Sequence, residues 1–143
     1  MEDRISARAV LDTSALLSSE KRALLFFAQV GLYTIVWSNY IIWELSRKMA
    51  GMGWAKETAR SYIEALSDIA EWCDYRQITG GSYEEWLTDP DDHPIMATAI
   101  AGQADFIVTW NVKDFPPKRR FAGTTIITPD AFLTDLSRSA RGS

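Results

Sequence analysis

Short apolar runs alternate with helical patterns along almost the whole chain, and this alternation constrains the fold more than any other feature. Five runs have the length and composition of strands: RAVLD (8–12), LYTIVW (32–37), YRQIT (75–79), DFIVT (105–109) and TTIIT (124–128). Helical patterns separate or follow them, at 19–31, 38–50, 56–71, 92–102 and 129–136. Strands that alternate with helices pair in parallel, with both faces of their sheet covered. The sequence therefore predicts an α/β fold.

Length and composition fit a single globular domain. The sequence has 143 residues, of which 47% are hydrophobic and 24% charged, as in an ordinary soluble protein. No apolar run approaches the roughly 20 residues that cross a bilayer, and MEDRISARAV at the N-terminus lacks the features of a signal peptide. Cys73 is the only cysteine, which fits a reducing compartment. We therefore expect a cytoplasmic protein, with one domain over 1–137 and a flexible tail over 138–143.

The balance of charges limits the classes of partner. The formal net charge is −4 and the pI is about 5.0, so the chain does not coat nucleic acid by bulk charge, although a local basic patch is compatible with this value. The sequence has no cluster of cysteine and histidine residues, which argues against a structural zinc site.

Acidic residues fall at the ends of the predicted strands. Asp12 follows the first strand directly, and Asp114 lies in the loop after DFIVT. Glu44 lies early in the helix that follows the second strand. In parallel sheets, sites form beyond the carboxyl ends of the strands. The topology therefore brings these three acids to one edge of the sheet.

A fourth acid stands out in the stretch DPDDHPIMATAI (89–100). Pro94 has no N–H and must lie in the first turn of its helix. Steps of three, four and seven from Asp92 reach apolar residues, so Asp92 lies on the inward face, whereas Asp89 and Asp91 suit capping and solvent. Capping alone explains an inward acid poorly, but a cation would stabilise it.

Carboxylates crowded at one edge repel each other. Two unit charges 5 Å apart cost about 3 kcal/mol at an effective dielectric constant near 20. A bound cation or a proton must offset this repulsion, and ligands that are all oxygen favour Mg²⁺ or Mn²⁺. Such a site suits the hydrolysis of phosphodiesters.

The segments that carry these acids resemble a PIN-domain ribonuclease, of the group that includes the VapC-like toxins of bacterial toxin–antitoxin pairs. They occur in the family's order and are VLDTSALLS (10–18), WSNYIIWEL (37–45), DPDDHPIMATAIAGQADFIVTWNVKDFP (89–116) and TIITPDAFL (125–133). The resemblance implies a three-layer sandwich, with helices on both faces of a five-stranded parallel sheet. It also implies a metal-dependent endoribonuclease, the toxin of a type II pair, which binds a cognate antitoxin and forms a homodimer.

The resemblance also assigns roles to the four acids. Asp12, Asp92 and Asp114 would hold one Mg²⁺ or Mn²⁺, partly through water. Glu44 would position or deprotonate the attacking water.

Three polar residues are expected to support the metal site. Ser14 and Asn111 match the family's polar positions, and some relatives carry Asp where this chain has Asn111. Thr109 ends its strand and is expected to orient a ligand.

Basic and aromatic residues near the predicted site could contact RNA. The run KDFPPKRR (113–120) places a basic stripe close to the acids, and Trp110 follows the strand end beside them. The residues expected to bind RNA are Lys113, Lys118, Arg119, Arg120 and Trp110. The tryptophans expected to pack in the core or at an interface are Trp43, Trp54, Trp72 and Trp86.

Other interpretations stay open at this point. Each acid has a structural alternative: a cap for Asp12 or Asp92, a turn for Asp114, and an i,i+4 partner of Lys48 for Glu44. The basic stripe could be solvated surface. The chain could also be a catalytically inactive PIN-fold module that binds RNA or protein, or an enzyme acting on other phosphate esters.

Overall fold

A computed structural model describes residues 7–74, 93–114, 120–121 and 123–142. In this part of the chain, six strands form one sheet in the order β3-β2-β1-β4-β6-β5. The strands are β1 (Ala7–Leu11), β2 (Tyr33–Trp37), β3 (Ala70–Trp72), β4 (Phe106–Val108), β5 (Arg120–Phe121) and β6 (Thr124–Ile127). Five of them pair in parallel, as predicted, and the two-residue β5 pairs antiparallel with β6.

Helices cover both faces of this sheet. They are α1 (Thr13–Leu16), α2 (Lys21–Gln29), α3 (Asn39–Gly51), α4 (Lys56–Ile69), α5 (His93–Ala101) and α6 (Pro129–Gly142), and Val112–Asp114 forms a 3₁₀ helix. Tyr33 of β2 donates its hydroxyl to Leu24 of α2 and packs edge-on against Phe132 of α6. Val36 lies three positions after Tyr33 in the same strand, so its side chain lies on the opposite face of the sheet. There it contacts Gly102, just after α5. The predicted three-layer α/β architecture is therefore confirmed.

The central strands form the core. Val10 and Leu11 of β1, Val36 of β2 and Ile107 and Val108 of β4 are fully buried. Burial on both faces explains why these strands read as nearly continuous apolar runs. In the described part of the chain, no helix is long and apolar enough to cross a membrane.

A short strand over residues 70–72 replaces the end of a predicted helix. The helical pattern at 56–71 overshoots, because α4 ends at Ile69 and residues 70–72 pair with β2, from Ile35↔Ala70 to Trp37↔Trp72. Pairing at the open side of β2 outweighs the local helical pattern. The predicted strand at 75–79 lies outside the described residues.

The last helix is longer than predicted. It continues past residue 136 to Gly142, through most of the segment predicted as a flexible tail. Arg138, Ala140 and Arg141 are good helix formers, and the stretch has no proline to end the helix earlier. The domain limits at 137 stay a prediction.

Two tryptophans predicted to pack in the core or at an interface are about half exposed. Trp43 lies off the buried stripe of α3 that Ile41 and Leu45 form, and Trp72 ends β3, which lies at one side of the described sheet. Core packing is therefore wrong for both, whereas Trp54 is half-buried. Trp86 lies outside the described residues.

Candidate active site

Asp12 lies at the carboxyl end of β1, where it caps α1. Its backbone is extended, and its Oδ1 accepts hydrogen bonds from the Ala15 N–H at 3.1 Å and the Ser14 hydroxyl at 2.6 Å. Its Oδ2 accepts from the Thr109 hydroxyl at 2.6 Å. Only 7% of Asp12 is exposed. Capping of α1 therefore explains the hydrogen bond from the Ala15 N–H to Oδ1. It explains neither the burial of Asp12 nor the hydrogen bond from Thr109 to Oδ2.

The two hydroxyl donors are themselves fixed by the backbone after β4. The Trp110 N–H donates to Ser14 Oγ at 3.0 Å, and the Asn111 N–H donates to Thr109 Oγ1 at 3.0 Å. Since each hydroxyl oxygen already accepts from an amide, its proton is free to point at Asp12. The network therefore orients the Asp12 carboxylate from two neighbouring strands.

Glu44 is half-buried in the second turn of α3. The Thr13 hydroxyl donates to its Oε1 at 3.3 Å and the Tyr40 hydroxyl to its Oε2 at 3.4 Å. Among the described residues, no ion pair joins Glu44 to Lys48, so the surface-pair alternative fails. Glu44 instead faces the segment that carries Asp12.

The electrostatics of this pair oppose negative charge. Burial raises the pKa of Asp12, hydrogen bonds from Ser14, Thr109 and Ala15 lower it, and the nearby Glu44 carboxylate raises it again; the net direction is upward. A cation between or beside the two carboxylates would reverse this balance.

The donor set of the two described acids fits an oxygen-ligated divalent cation. Three hydrogen bonds occupy about three of the four acceptor positions on Asp12, which leaves one on Oδ2. Residues 7–74, 93–114, 120–121 and 123–142 contain no group of three acidic, His or Cys side chains that could hold a metal. Asp92 and the side chain of Asp114 lie outside the description. The backbone of Asp114 ends the 3₁₀ helix that follows β4, at the same edge as Asp12.

The predicted RNA-binding residues are only partly described. Trp110 is 42% exposed, and Lys113 is exposed on the 3₁₀ helix. Arg120 lies in β5, but its side chain is not described. Lys118 and Arg119 lie outside the described residues.

Sequence reasoning missed two residues at the site. It did not single out Thr13 and Tyr40, which orient Glu44, although Thr13 follows Asp12 and Tyr40 lies one helical turn before Glu44.

A separate groove of about 350 Å³ lies between α3 and α4. Apolar surface dominates it, and its lining includes Ala50, Trp54, Ala59 and Ile63. It contains none of the predicted acids, so it is not the candidate active site.

The PIN-domain sequence family matches residues 8–113, which include Asp12, Glu44 and Thr109. No curated protein matches the chain. The fold is similar to the crystal structure of VapBC2 from Rickettsia felis bound to a DNA fragment from their promoter, with a TM-score of 0.56 and 19% identity over 85% of this chain and 98% of that one. It is also similar to PAE2754 from Pyrobaculum aerophilum, with a TM-score of 0.52 and 16% identity over 93% of this chain and 98% of that one. At these identities the two structures support the fold, and the match over most of the sequence shows that this chain belongs to the PIN-domain family.

Proposed function

We propose that this chain is a metal-dependent endoribonuclease that hydrolyses RNA phosphodiester bonds. The main support for this proposal is the buried Asp12 carboxylate. Three donors hold it in place, and Glu44 adds a second negative charge beside it. A structural aspartate gains nothing from a like-charged neighbour, whereas a cation site needs one. PIN domains are generally nucleases that use divalent metal ions.

We infer the roles of the acids from the resemblance to PIN-domain ribonucleases. Asp12, Asp92 and Asp114 would hold Mg²⁺ or Mn²⁺, which supplies a water of lowered pKa and positive charge for the phosphate. Glu44 would orient or deprotonate the attacking water, because Thr13 and Tyr40 hold its carboxylate toward the Asp12 segment. Ser14 and Thr109 are positioning residues that act through Asp12.

Binding of RNA must overcome the net negative charge of the chain. Lys113 and Trp110 follow β4 and are exposed beside the Ser14–Thr109 network. We infer that Lys113, together with Lys118, Arg119 and Arg120, contacts phosphates that flank the scissile bond. Asn111, which is also exposed, would complete the polar rim.

We further propose that the chain is the toxin of a type II toxin–antitoxin pair in the cytoplasm. The structurally similar VapBC2 was crystallised with a DNA fragment from their promoter, and the segments that carry the acids resemble VapC-like toxins. The groove between α3 and α4 offers apolar surface of the kind that an antitoxin segment could cover. A homodimer is the second expected assembly.

Cleavage of a mixed RNA pool tests the proposed enzyme. The wild type is compared with Asp12→Asn and Asp92→Asn in Mn²⁺, in Mg²⁺ and in EDTA, with Asp68→Asn as the control because Asp68 is an exposed acid on α4. We expect cleavage in Mn²⁺ or Mg²⁺ that EDTA and both site substitutions abolish and that Asp68→Asn leaves unchanged.

Absence of cleavage in every condition, with no metal uptake by calorimetry, would contradict the proposal. It would favour the alternative function, a catalytically inactive PIN-fold module that binds RNA or protein. Hydrolysis of single-stranded DNA or small phosphate esters in place of RNA would instead correct the substrate.

A further inference from the structure

Three half-exposed tryptophans lie along the edge of the sheet that carries Asp12. Trp43 is 56% exposed, Trp72 49% and Trp110 42%. Trp72 ends β3, Trp43 lies early in the helix after β2, and Trp110 follows β4. The strand order β3-β2-β1-β4 therefore places Trp72 and Trp43 on one side of Asp12 and Trp110 on the other.

A chain of contacts joins Glu44 to Trp43. The Tyr40 hydroxyl donates to Glu44, and the Tyr40 ring lies 5.9 Å from the Trp43 ring between centroids. Trp43 is thus one aromatic ring away from a predicted catalytic carboxylate. A nucleotide held at Trp43 would be a close neighbour of a phosphate held at the acids.

The orientation of Trp72 is fixed although its ring is exposed. Its indole N–H donates to Asn39 Oδ1 at 2.9 Å, which satisfies the only polar group of the side chain. Asn39, Trp43 and Arg47 are spaced by four residues and share one stripe of α3. The two indoles are therefore connected through Asn39 and belong to one surface.

A positive charge accompanies this surface. The Arg47 guanidinium carbon lies 5.0 Å from the centroid of the Trp43 ring, in a cation–π contact. Proteins that bind single strands combine aromatic rings for the bases with cations for the backbone. Two connected indoles with a guanidinium, near the strand ends that carry the acids, therefore favour a single-stranded nucleic acid as the occupant.

We propose that Trp43 and Trp72, with Arg47, form a base-stacking subsite for single-stranded RNA on the β2–β3 side of the acids. Its place in catalysis rests on the proposed ribonuclease function, but its capacity to bind bases does not. Trp110 would contact the strand on the opposite side of Asp12.

Binding without cleavage tests this subsite directly. Asp12→Asn protein, or the wild type in EDTA, is titrated with a fluorescent single-stranded RNA and with an abasic strand of the same length and charge. Trp43→Ala and Trp72→Ala should each weaken binding of the RNA about 5- to 150-fold, the usual range for loss of one stacked base. Both should leave the weak binding of the abasic strand unchanged.

Two further variants control for exposure and for ring loss. Phe26→Ala removes an aromatic ring that is 55% exposed on α2, away from this edge, and should not change the affinity. Trp43→Phe keeps a stacking ring and should retain most of the binding. Circular dichroism of each variant confirms that it is folded.

Equal RNA affinity of the wild type, Trp43→Ala and Trp72→Ala would overturn the subsite. If these variants also changed the sedimentation of the protein, the surface would be a protein contact instead. RNA cleavage measured in parallel separates the two proposals. RNA binding that is indifferent to both tryptophans, together with intact metal-dependent cleavage, refutes only the subsite, and tryptophan-dependent binding without metal-dependent cleavage refutes only the ribonuclease.

Discussion

The charged side chains at the two ends of β1 have opposite kinds of neighbour. Near the amino end of β1, Arg8 forms a two-point ion pair at 2.9 and 3.0 Å with Glu71 in the middle of β3, and its Nε donates to the Gly102 carbonyl. At the carboxyl end, Asp12 and Glu44 each accept hydrogen bonds from neutral donors of their own, and the two carboxylates repel each other. The hydrogen bond to Arg8 lowers the pKa of Glu71, whereas burial raises that of Asp12.

This difference separates stabilising charges from functional ones. Opposite charges at the amino end satisfy each other on folding. Like charges at the carboxyl end are tolerated only because packing elsewhere compensates for them, as is common at sites where a ligand completes the balance. The contrast can be tested by changing one end at a time.

Glu44→Gln should lower activity strongly without destabilising the fold. Loss of a general base typically lowers a rate by about 100- to 10,000-fold. The amide oxygen of the glutamine can still accept from the Thr13 hydroxyl, while its NH2 group can donate to the Tyr40 hydroxyl oxygen. Initial rates of RNA cleavage in Mn²⁺ and thermal unfolding measure the two quantities. Glu71→Gln is the matched control and should cleave normally. A comparable loss of cleavage rate in both variants would show that Glu44 has no greater role in catalysis than Glu71.

Gly102→Ala should give the largest loss of stability. A Cβ there would overlap the Val36 side chain, and overpacking of this kind costs about 1–3 kcal/mol. Gly51→Ala is the control, because a Cβ at Gly51 meets nothing within 4 Å. Urea denaturation compares the two. The close packing of α5 on β2 would be refuted if Gly102→Ala were as stable as Gly51→Ala.

Asp12→Asn should stabilise the metal-free protein while it abolishes cleavage. Because the pKa of Asp12 is raised by folding, the folded protein binds this proton more tightly than the unfolded chain does. Its contribution is most favourable below the unfolded pKa and is lost as the pH rises through the folded pKa. The variant loses no proton, so its advantage should grow as the pH rises above the unfolded pKa of Asp12, to on the order of 1 kcal/mol.

Unfolding in EDTA at several pH values measures this advantage, and Asp68→Asn should show none. Added Mn²⁺ should stabilise the wild type but not Asp12→Asn. A wild type that is more stable than Asp12→Asn at all of these pH values without metal would show that Asp12 is a structural cap.

The sequence predicted the central strands of the sheet better than the outer strand β3. Strand β1 at Ala7–Leu11 and β4 at Phe106–Val108 lie within one residue of the predicted limits or inside them, since buried parallel strands carry their own signal. Strand β3 has only three residues, and it continues the helical spacing of α4. Its identity depends on the pairing with β2, which local pattern does not contain.

The candidate site shows the same division. Topology alone predicted that Asp12 and Glu44 meet at one edge, and their electrostatic interaction agrees with this. The donors that orient them could not be ranked from sequence, because hydroxyl contacts such as Thr109 to Asp12 depend on angstrom-scale packing between strands. The position of Trp43 in the helix, off the stripe that Ile41 and Leu45 form, indicates that its side chain is exposed. Its hydrophobicity nevertheless suggested that it packs in the core.

The smallest effect belongs to the ion pair at the amino end. Glu71→Gln should lower the free energy of unfolding by less than about 1 kcal/mol, because the Glu71 side chain is 54% exposed and water screens the pair. The pKa of Glu71 is lowered in the folded protein, so its contribution is present above the unfolded pKa and is lost as the pH falls through the folded value. The loss should therefore be measurable by urea denaturation at pH 7, shrink toward pH 3 and shrink in 1 M salt. This trend with pH is the reverse of the one expected for Asp12, where the ionised wild type is the less stable form. If Glu71→Gln and Asp12→Asn shifted stability in the same direction as the pH rises, the two ends would not differ in sign and the acids at the carboxyl end would be ordinary structural partners.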